Sequence, residues 1–158
     1  MFINRLVLLI LLFSSYAHAE LSIQNWKTPN GSKVYFVENH SLPVVDVNVM
    51  FSAGSVRDSK QTNGVASMTN HLMFSGSAGM SEQKLMNSFA DIGAQIGSNF
   101  NRDQSSFSLR TLSEEKSEAI ELFKIVLQKP NFDKEILDRE AKRYVANIAQ
   151  AETMPEAI

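Results

Sequence analysis

Four segments with the two-residue alternation of β-strands occur along this chain as two adjacent pairs, and this pairing limits the possible folds more than any other feature. The predicted strands are residues 33–38, 44–53, 95–100 and 105–111. Short polar segments connect the two members of each pair, so we expect both pairs to form hairpins. Because strands joined in this way run antiparallel, the sequence predicts an antiparallel sheet.

Two segments with the apolar spacing of helices follow each strand pair. The predicted buried stripes of the first three helices are Val65, Met68 and Leu72; Leu85, Phe89 and Ile92; and Ile120, Phe123 and Leu127. Ser81, Ser113 and Asp133 are expected to cap the last three helices, and Gly93 and Pro130 to end the second and third. The order β-β-α-α-β-β-α-α therefore predicts an α+β domain, with an antiparallel sheet and helices packed on one face.

The N-terminus has the pattern of a signal peptide. An unbroken apolar run at residues 6–13 follows a basic residue, and an A-x-A sequence ends at Ala19. The run is too short to span a bilayer, so a membrane anchor is the less favoured alternative. We therefore expect residues 1–19 to be removed before Glu20. The domain would then cover residues 20–158, with no membrane attachment after cleavage.

Charge and cysteine content narrow the possible partners and compartments. The formal net charge is −2, so no electrostatic argument supports binding to nucleic acid. The chain has no cysteine, which leaves neither a disulfide framework nor a thiol nucleophile. An export signal without cysteines favours the bacterial periplasm over a eukaryotic secretory route.

Residues 64–74 have the spacing of an inverted zinc motif, but most of the side chains that bind zinc or activate water are replaced. In that motif, H-x-x-E-H, two histidines bind zinc and the glutamate activates water. The three positions here hold Ser67, Asn70 and His71. A hydroxyl is a poor zinc ligand, and an amide lacks the basicity to take a proton from water. One of the three motif residues, His71, is therefore retained.

Several segments, taken together in order and spacing, resemble the insulinase/pitrilysin family of zinc metallopeptidases. The segments that carry the resemblance are Phe51-Ser52-Ala53-Gly54-Ser55, the helix Gly64–Gly76, Asp91-Ile92-Gly93-Ala94, Lys129-Pro130-Asn131-Phe132 and Asp138-Arg139-Glu140. The resemblance implies a metalloenzyme domain of the mitochondrial-processing-peptidase type, which occurs as tandem domains around a chamber. It also implies that this chain holds most of a first domain and is incomplete at its C-terminal end.

The resemblance places the family's catalytic residues on four positions of this chain. The first histidine ligand falls on Ser67, the water-activating glutamate on Asn70, and the second histidine ligand on His71. The distal glutamate ligand falls on Asn147. Three of these four positions have lost the required side chain, so we expect no catalytic residues and no bound metal.

Two further positions follow from the resemblance. A supporting glutamate two turns before the distal ligand falls on Glu140, which is retained. The edge strand that holds substrate usually carries an Asn-Ala pair, and the equivalent here is Gly97-Ser98.

These assignments predict a non-catalytic subunit that pairs with an active zinc protease and helps to enclose a peptide or an unfolded protein. One alternative is an active zinc endopeptidase in which His71 works with other ligands such as His40 or Asp103; zinc would then be its cofactor. A second is a stand-alone periplasmic binding or scaffold module. A nucleophile–base pair of Ser67 and His71 lacks an orienting third group and is the least favoured alternative.

Overall fold

The computed structural model describes residues 22–151 and 153. The predicted signal peptide and its cleavage site between Ala19 and Glu20 therefore lie outside the described residues. The chain divides into two compact units between Leu42 and Pro43. None of the described helices is both long enough and apolar enough to cross a membrane.

The first unit is a β-hairpin that the sequence only half predicts. Strand β1 (Ile23–Lys27) runs antiparallel to strand β2 (Lys33–Val37). Gly31 makes the turn with a φ of +87°, in the left-handed region that favours glycine. The expected hairpin between β2 and the next strand is therefore wrong, because the Asn-Gly turn before β2 pairs it with the preceding strand.

The second unit contains a three-stranded antiparallel sheet and four helices. Its strands are β3 (Val44–Phe51), β6 (Gln95–Phe100) and β7 (Ser105–Leu112), in the order β3-β7-β6. The helices are α1 (Val65–Leu72), α2 (Glu82–Asp91), α3 (Lys116–Gln128) and α4 (Lys134–Ala151). Two short paired strands, β4 (Gly76–Ser77) and β5 (Met80–Ser81), lie between α1 and α2, and a 3₁₀ turn covers Ser55–Arg57.

The core lies under one face of this sheet. Along β7, Phe107 and Leu109 are buried, whereas Ser108 and Arg110 on the opposite face are exposed. The helices complete the core through Leu85, Phe89, Ala119, Phe123 and Val126. The α+β class, with an antiparallel sheet and helices on one face, is thus confirmed.

Two predicted apolar stripes are displaced from the observed buried faces. In α3 the buried residues are Ala119, Phe123 and Val126, while Ile120 is exposed. In α1 Leu72 is buried but Val65 is exposed. In α3 the buried face includes the small residue Ala119 in place of its larger neighbour Ile120. In α1 the residue buried together with Leu72 is the polar Asn70, which an apolar pattern does not reveal.

The predicted helix caps are confirmed in two of three cases. The Ser81 hydroxyl accepts a hydrogen bond from the Lys84 N–H, and the Asp133 carboxylate accepts one from the Glu135 N–H. Ser113 does not cap α3, since its N–H donates to Pro43 O and the helix begins at Lys116.

The turn between β4 and β5 is held by a residue far along the chain. Asn131 accepts a hydrogen bond from the Gly79 N–H at 2.9 Å and donates one to Met80 O at 2.9 Å. Ala78 and Gly79 have φ values of +49° and +79°, which cost energy at the non-glycine residue Ala78, and the hydrogen bonds of Asn131 stabilise the turn.

Thr111 is buried on the core face of β7, and its hydroxyl makes no hydrogen bond to the described residues. Thr111→Val keeps the shape and removes the unpaired hydroxyl, so we expect it to raise the free energy of unfolding by about 1 kcal/mol. Urea denaturation would measure the gain. Ser108→Val, on the exposed face of the same strand, is the control and should not stabilise through this mechanism. A loss of stability in Thr111→Val would show that the hydroxyl has a partner.

Candidate functional site

Helix α1 carries the degenerate zinc motif, and an acidic side chain from the preceding loop anchors its start. The Asp58 carboxylate accepts hydrogen bonds from the Gly64 N–H at 3.0 Å and the Ala66 N–H at 3.2 Å. Gly64, the residue that begins the helix, has a φ of +92° and no side chain with which to cap it. Asp58 therefore supplies the cap and a favourable negative charge at the helix N-terminus.

The Asn70 side chain, at the position to which the resemblance assigns the catalytic glutamate, is buried in the core. It is 6% exposed, and its amide nitrogen donates to Ser105 Oγ at 2.6 Å and to Asn99 O at 3.3 Å. These bonds tie α1 to both β6 and β7. An amide suits this position because it can donate to a carbonyl oxygen, which a carboxylate cannot do.

His71 contacts an acidic residue of the last helix. Its Nε2 lies 3.3 Å from Oε2 of Glu140, the supporting glutamate of the sequence prediction. Glu140 is buried, and it also accepts hydrogen bonds from Arg139 Nε at 2.9 Å and Arg143 Nη1 at 3.2 Å. The retained histidine and the retained glutamate are thus brought together, and Glu140 binds two arginines as well.

The hydrogen bond from Arg139 lowers the pKa of Glu140 below its ordinary value, and the His71 contact and the Arg143 and Arg139 charges act in the same direction. Burial opposes this shift. A carboxyl whose pKa is lower in the folded state stabilises the fold above its unfolded pKa and loses that contribution as the pH falls through its folded pKa.

We therefore expect the stability of the domain to fall on acidification below about pH 4.5, partly through Glu140. Thermal unfolding midpoints between pH 6 and pH 3 would show this slope, and Glu140→Gln should make it shallower. Glu135→Gln, an exposed position on the same helix, is the matched control. Identical slopes in wild type and Glu140→Gln would contradict the prediction.

The remaining predicted ligand positions do not make a zinc site. Ser67 is half-buried in α1, and Asn147 is exposed on α4, two turns after Glu140. The four positions together supply one hydroxyl, two amides and one imidazole, whereas catalytic zinc takes three histidine, cysteine or carboxylate ligands. This set of donors does not fit zinc.

The residues named in the alternative zinc site make other contacts. His40 belongs to the first unit, where its Nε2 is 2.9 Å from Glu38 Oε1. Asp103 lies in the turn between β6 and β7, and its backbone N–H donates to Asn101 Oδ1. Within residues 22–151 and 153, no three histidine, cysteine or acidic side chains are close enough to share a metal.

Strand β6, which contains Gly97 and Ser98, is an edge strand. It pairs with β7, and no other described strand pairs with it. The Asn101 N–H donates to Gln104 O at the hairpin end, so alternation along the ladder points the N–H and C=O of Ser98 away from β7. β6 contains no charged residue and no proline, the usual devices that protect an edge from pairing.

Sequence reasoning missed Asp58, Ser105, Arg139 and Arg143 as partners of the site. A capping side chain six residues before the N-cap residue Gly64 lies outside the spacing of ordinary N-caps, so Asp58 gave no local signal. Arg143 had a usable signal, since it lies three residues after Glu140 on a helix and such pairs face each other.

Comparison with known proteins agrees with the arrangement of helix α1 on the antiparallel sheet. A helix with the frame of a zinc motif, packed against an antiparallel sheet, resembles the domain of a zinc peptidase. The family model of insulinase (peptidase family M16) matches residues 33–158. The chain therefore belongs to the insulinase family of peptidases.

Individual relatives are distant in sequence. A probable mitochondrial-processing peptidase subunit beta from Arabidopsis thaliana is 25% identical over 82% of this chain and 24% of its own length. An uncharacterised zinc protease, YmxG, from Bacillus subtilis is 22% identical over 86% of this chain and 33% of its own length. The chain thus spans about a quarter to a third of these curated relatives.

A solved structure extends the comparison to three dimensions. The crystal structure of a peptidase M16 inactive domain from Pseudomonas fluorescens superposes with a TM-score of 0.81 at 34% identity. The superposition covers 85% of this chain and 33% of that chain. The fold predicted from the order of strands and helices is therefore found in a structure described as an inactive domain of the same family.

Proposed function

We propose that this chain is a non-catalytic member of the insulinase family that holds an extended peptide and pairs with an active zinc protease. The observation that carries the proposal is the hydrogen bonding of Asn70. At the position where a protease of this family needs a base, a buried amide joins α1 to Ser105 and Asn99. Such a group cannot take a proton from water.

The neighbouring residues support the same proposal. His71, the one retained ligand-type residue, faces the Glu140 carboxylate, which two arginines also bind. Asp58 anchors the start of α1. The helix that would carry the catalytic residues is thus held at its start by Asp58 and near its end by Asn70 and His71, through contacts that a structural role explains.

The edge of β6 supports peptide binding. Its outward N–H and C=O groups at Ser98 can pair with an added strand, and main-chain hydrogen bonds of this kind bind peptides with little dependence on sequence. A subunit that holds a peptide without cleaving it needs a partner that carries out the cleavage. We therefore propose a zinc protease of the same family as that partner.

The absence of catalysis can be tested on the purified chain. We expect no stoichiometric zinc by elemental analysis and no cleavage of an unfolded protein such as casein, because the donor set lacks two ligands and the base. One zinc per chain, removed by a chelator together with activity, would contradict the proposal and favour the alternative of an active endopeptidase.

The pairing and the location can be tested in the native organism. A tagged chain isolated from the periplasmic fraction should begin at Glu20 and should carry a zinc protease of the same family with it. A monomer that binds peptides but brings down no protease would favour the stand-alone module. Material that still begins at Met1 would contradict the predicted export.

A further inference from the structure

Two arginines and a histidine surround a single carboxylate beside the predicted peptide-binding edge. Glu140 is 7% exposed and lies at the centre of the group. The side chains of Arg139 and Arg143 are 59% and 69% exposed, and that of His71 is 62% exposed. The acid is therefore buried, while the cations around it are open to solvent.

The cations of this cluster exceed its acids. Arg139 and Arg143 are permanently charged, and Glu140 is the one carboxylate to which either donates among the described residues. Arg139 uses its Nε in this bond and Arg143 its Nη1. The two terminal nitrogens of Arg139, and Nε and Nη2 of Arg143, donate to no described residue. Free guanidinium donors of this kind suit a second carboxylate.

The cluster lies next to the contact between α1 and the edge strand. His71 directly follows Asn70, whose amide donates to Asn99 O on β6. An extended chain paired with β6 at Ser98 would run past this end of α1. Its side chains, or its C-terminus, would then approach the guanidinium groups on α4.

We propose that Arg139 and Arg143, assisted by His71, bind a carboxylate of a peptide held on β6. The carboxylate belongs either to an acidic side chain or to the C-terminus of the peptide. The peptide itself rests on the proposed function, whereas the carboxylate site rests on the cluster alone.

Two pairs of fluorescein-labelled ten-residue peptides test the site and identify the source of the carboxylate. The two peptides of the first pair differ only at the C-terminus, which is an acid in one and an amide in the other. Both peptides of the second pair end in an amide, and they differ only at one internal position, which is glutamate in one and glutamine in the other. Fluorescence anisotropy in about 50 mM salt should show one acid form binding roughly five- to tenfold more tightly than its neutral twin, with a smaller ratio in high salt. Equal affinities within both pairs would overturn the proposal.

Glu140→Gln gives a result that a purely structural role would not produce. It removes the carboxylate that competes for both guanidinium groups, so the preference for the acidic peptide should increase severalfold. Arg143→Gln should weaken the preference, and Arg139→Gln with Arg143→Gln and Glu140→Gln, which leaves no buried charge unpaired, should abolish it. Lys142→Gln makes the same charge change on the adjacent residue of α4 and should leave the preference intact. A folded Glu140→Gln protein with no gain, or an equal loss in Lys142→Gln, would overturn the proposal.

Acetate separates this inference from the proposed function. In ¹⁵N NMR spectra, added acetate should shift the Nε–H signals of Arg139 and Arg143, and the wild-type shifts should exceed those of any other arginine. If acetate shifts them but no peptide binds, the peptide-holding role fails and the carboxylate site stands. If neutral peptides bind while acetate has no effect, the carboxylate site fails and peptide holding stands.

Discussion

Asn70→Glu, which places a glutamate at the position that the resemblance assigns to the family's base, is expected to destabilise this domain by about 3 kcal/mol. The new carboxylate would be buried against Asn99 O, to which it cannot donate, and only the Ser105 hydroxyl could donate to it. Burial would raise the pKa of the new glutamate. Urea denaturation at neutral pH would measure the loss.

Thr69→Glu is the matched control for this experiment. Thr69 is the exposed neighbour of Asn70 on the same helix, so it receives the same charge without burial. It should change stability by less than about 0.5 kcal/mol. The cost of Asn70→Glu should also shrink as the pH falls, because protonation removes the buried charge and a raised pKa in the folded state favours folding at low pH. Equal effects of both substitutions would mean that the Asn70 site is accessible to water.

Gly54→Ala is the second substitution with a large expected effect, a loss of about 3 kcal/mol or failure to fold. Gly54 is buried, and a Cβ there would lie 2.3 Å from Arg102 O and 2.4 Å from the Arg102 carbonyl carbon. Relief would require breaking the hydrogen bond from the Val56 N–H to Arg102 O, which holds the 3₁₀ turn against the β6–β7 turn. Its φ of −85° is ordinary, so steric contact is the whole cause.

Gly97→Ala is the control, because Gly97 also has an ordinary φ but more space. A Cβ there would lie 3.1 Å from Ser108 Oγ, a side-chain atom that can rotate away. Its effect on the free energy of unfolding should be within about 1 kcal/mol. Thermal unfolding followed by circular dichroism compares the two variants. Similar midpoints for Gly54→Ala and wild type would show that the two turns can separate without cost.

Local patterns predicted the strands and helices of the second unit but not all of their partners. The segments at β3, β6 and β7 alternate in sequence and form the sheet, because each has one face on the core. Strand β1 was missed, since Ile23–Lys27 mixes polar and apolar residues without a clear period. The choice of β1 as the partner of β2 depended on turn geometry at Gly31 rather than on the strands themselves.

For the candidate site, too, the sequence located residues but not all of their contacts. The positions of Ser67, Asn70, His71 and Glu140 came from a resemblance, and the contact between His71 and Glu140 brings two of them together. The new role of Asn70 could not be read from the sequence, because its partners are 29 and 35 residues away. The motif places an amide at the position that the resemblance assigns to a glutamate, and only the structure shows which hydrogen bonds this amide makes.

The hydrogen bonds of Asn131 have a consequence for the rate of unfolding. The side chain supports the turn at Gly79 and Met80 from 52 and 51 residues away, so these bonds close a long loop that contains α2, β6, β7 and α3. Because closing such a loop costs chain entropy before the contact is gained, we expect these bonds to form after the main folding barrier. Loss of this side chain therefore chiefly speeds unfolding and leaves refolding almost unchanged. Asn131 would then lengthen the lifetime of the native state more than it helps the chain to reach that state.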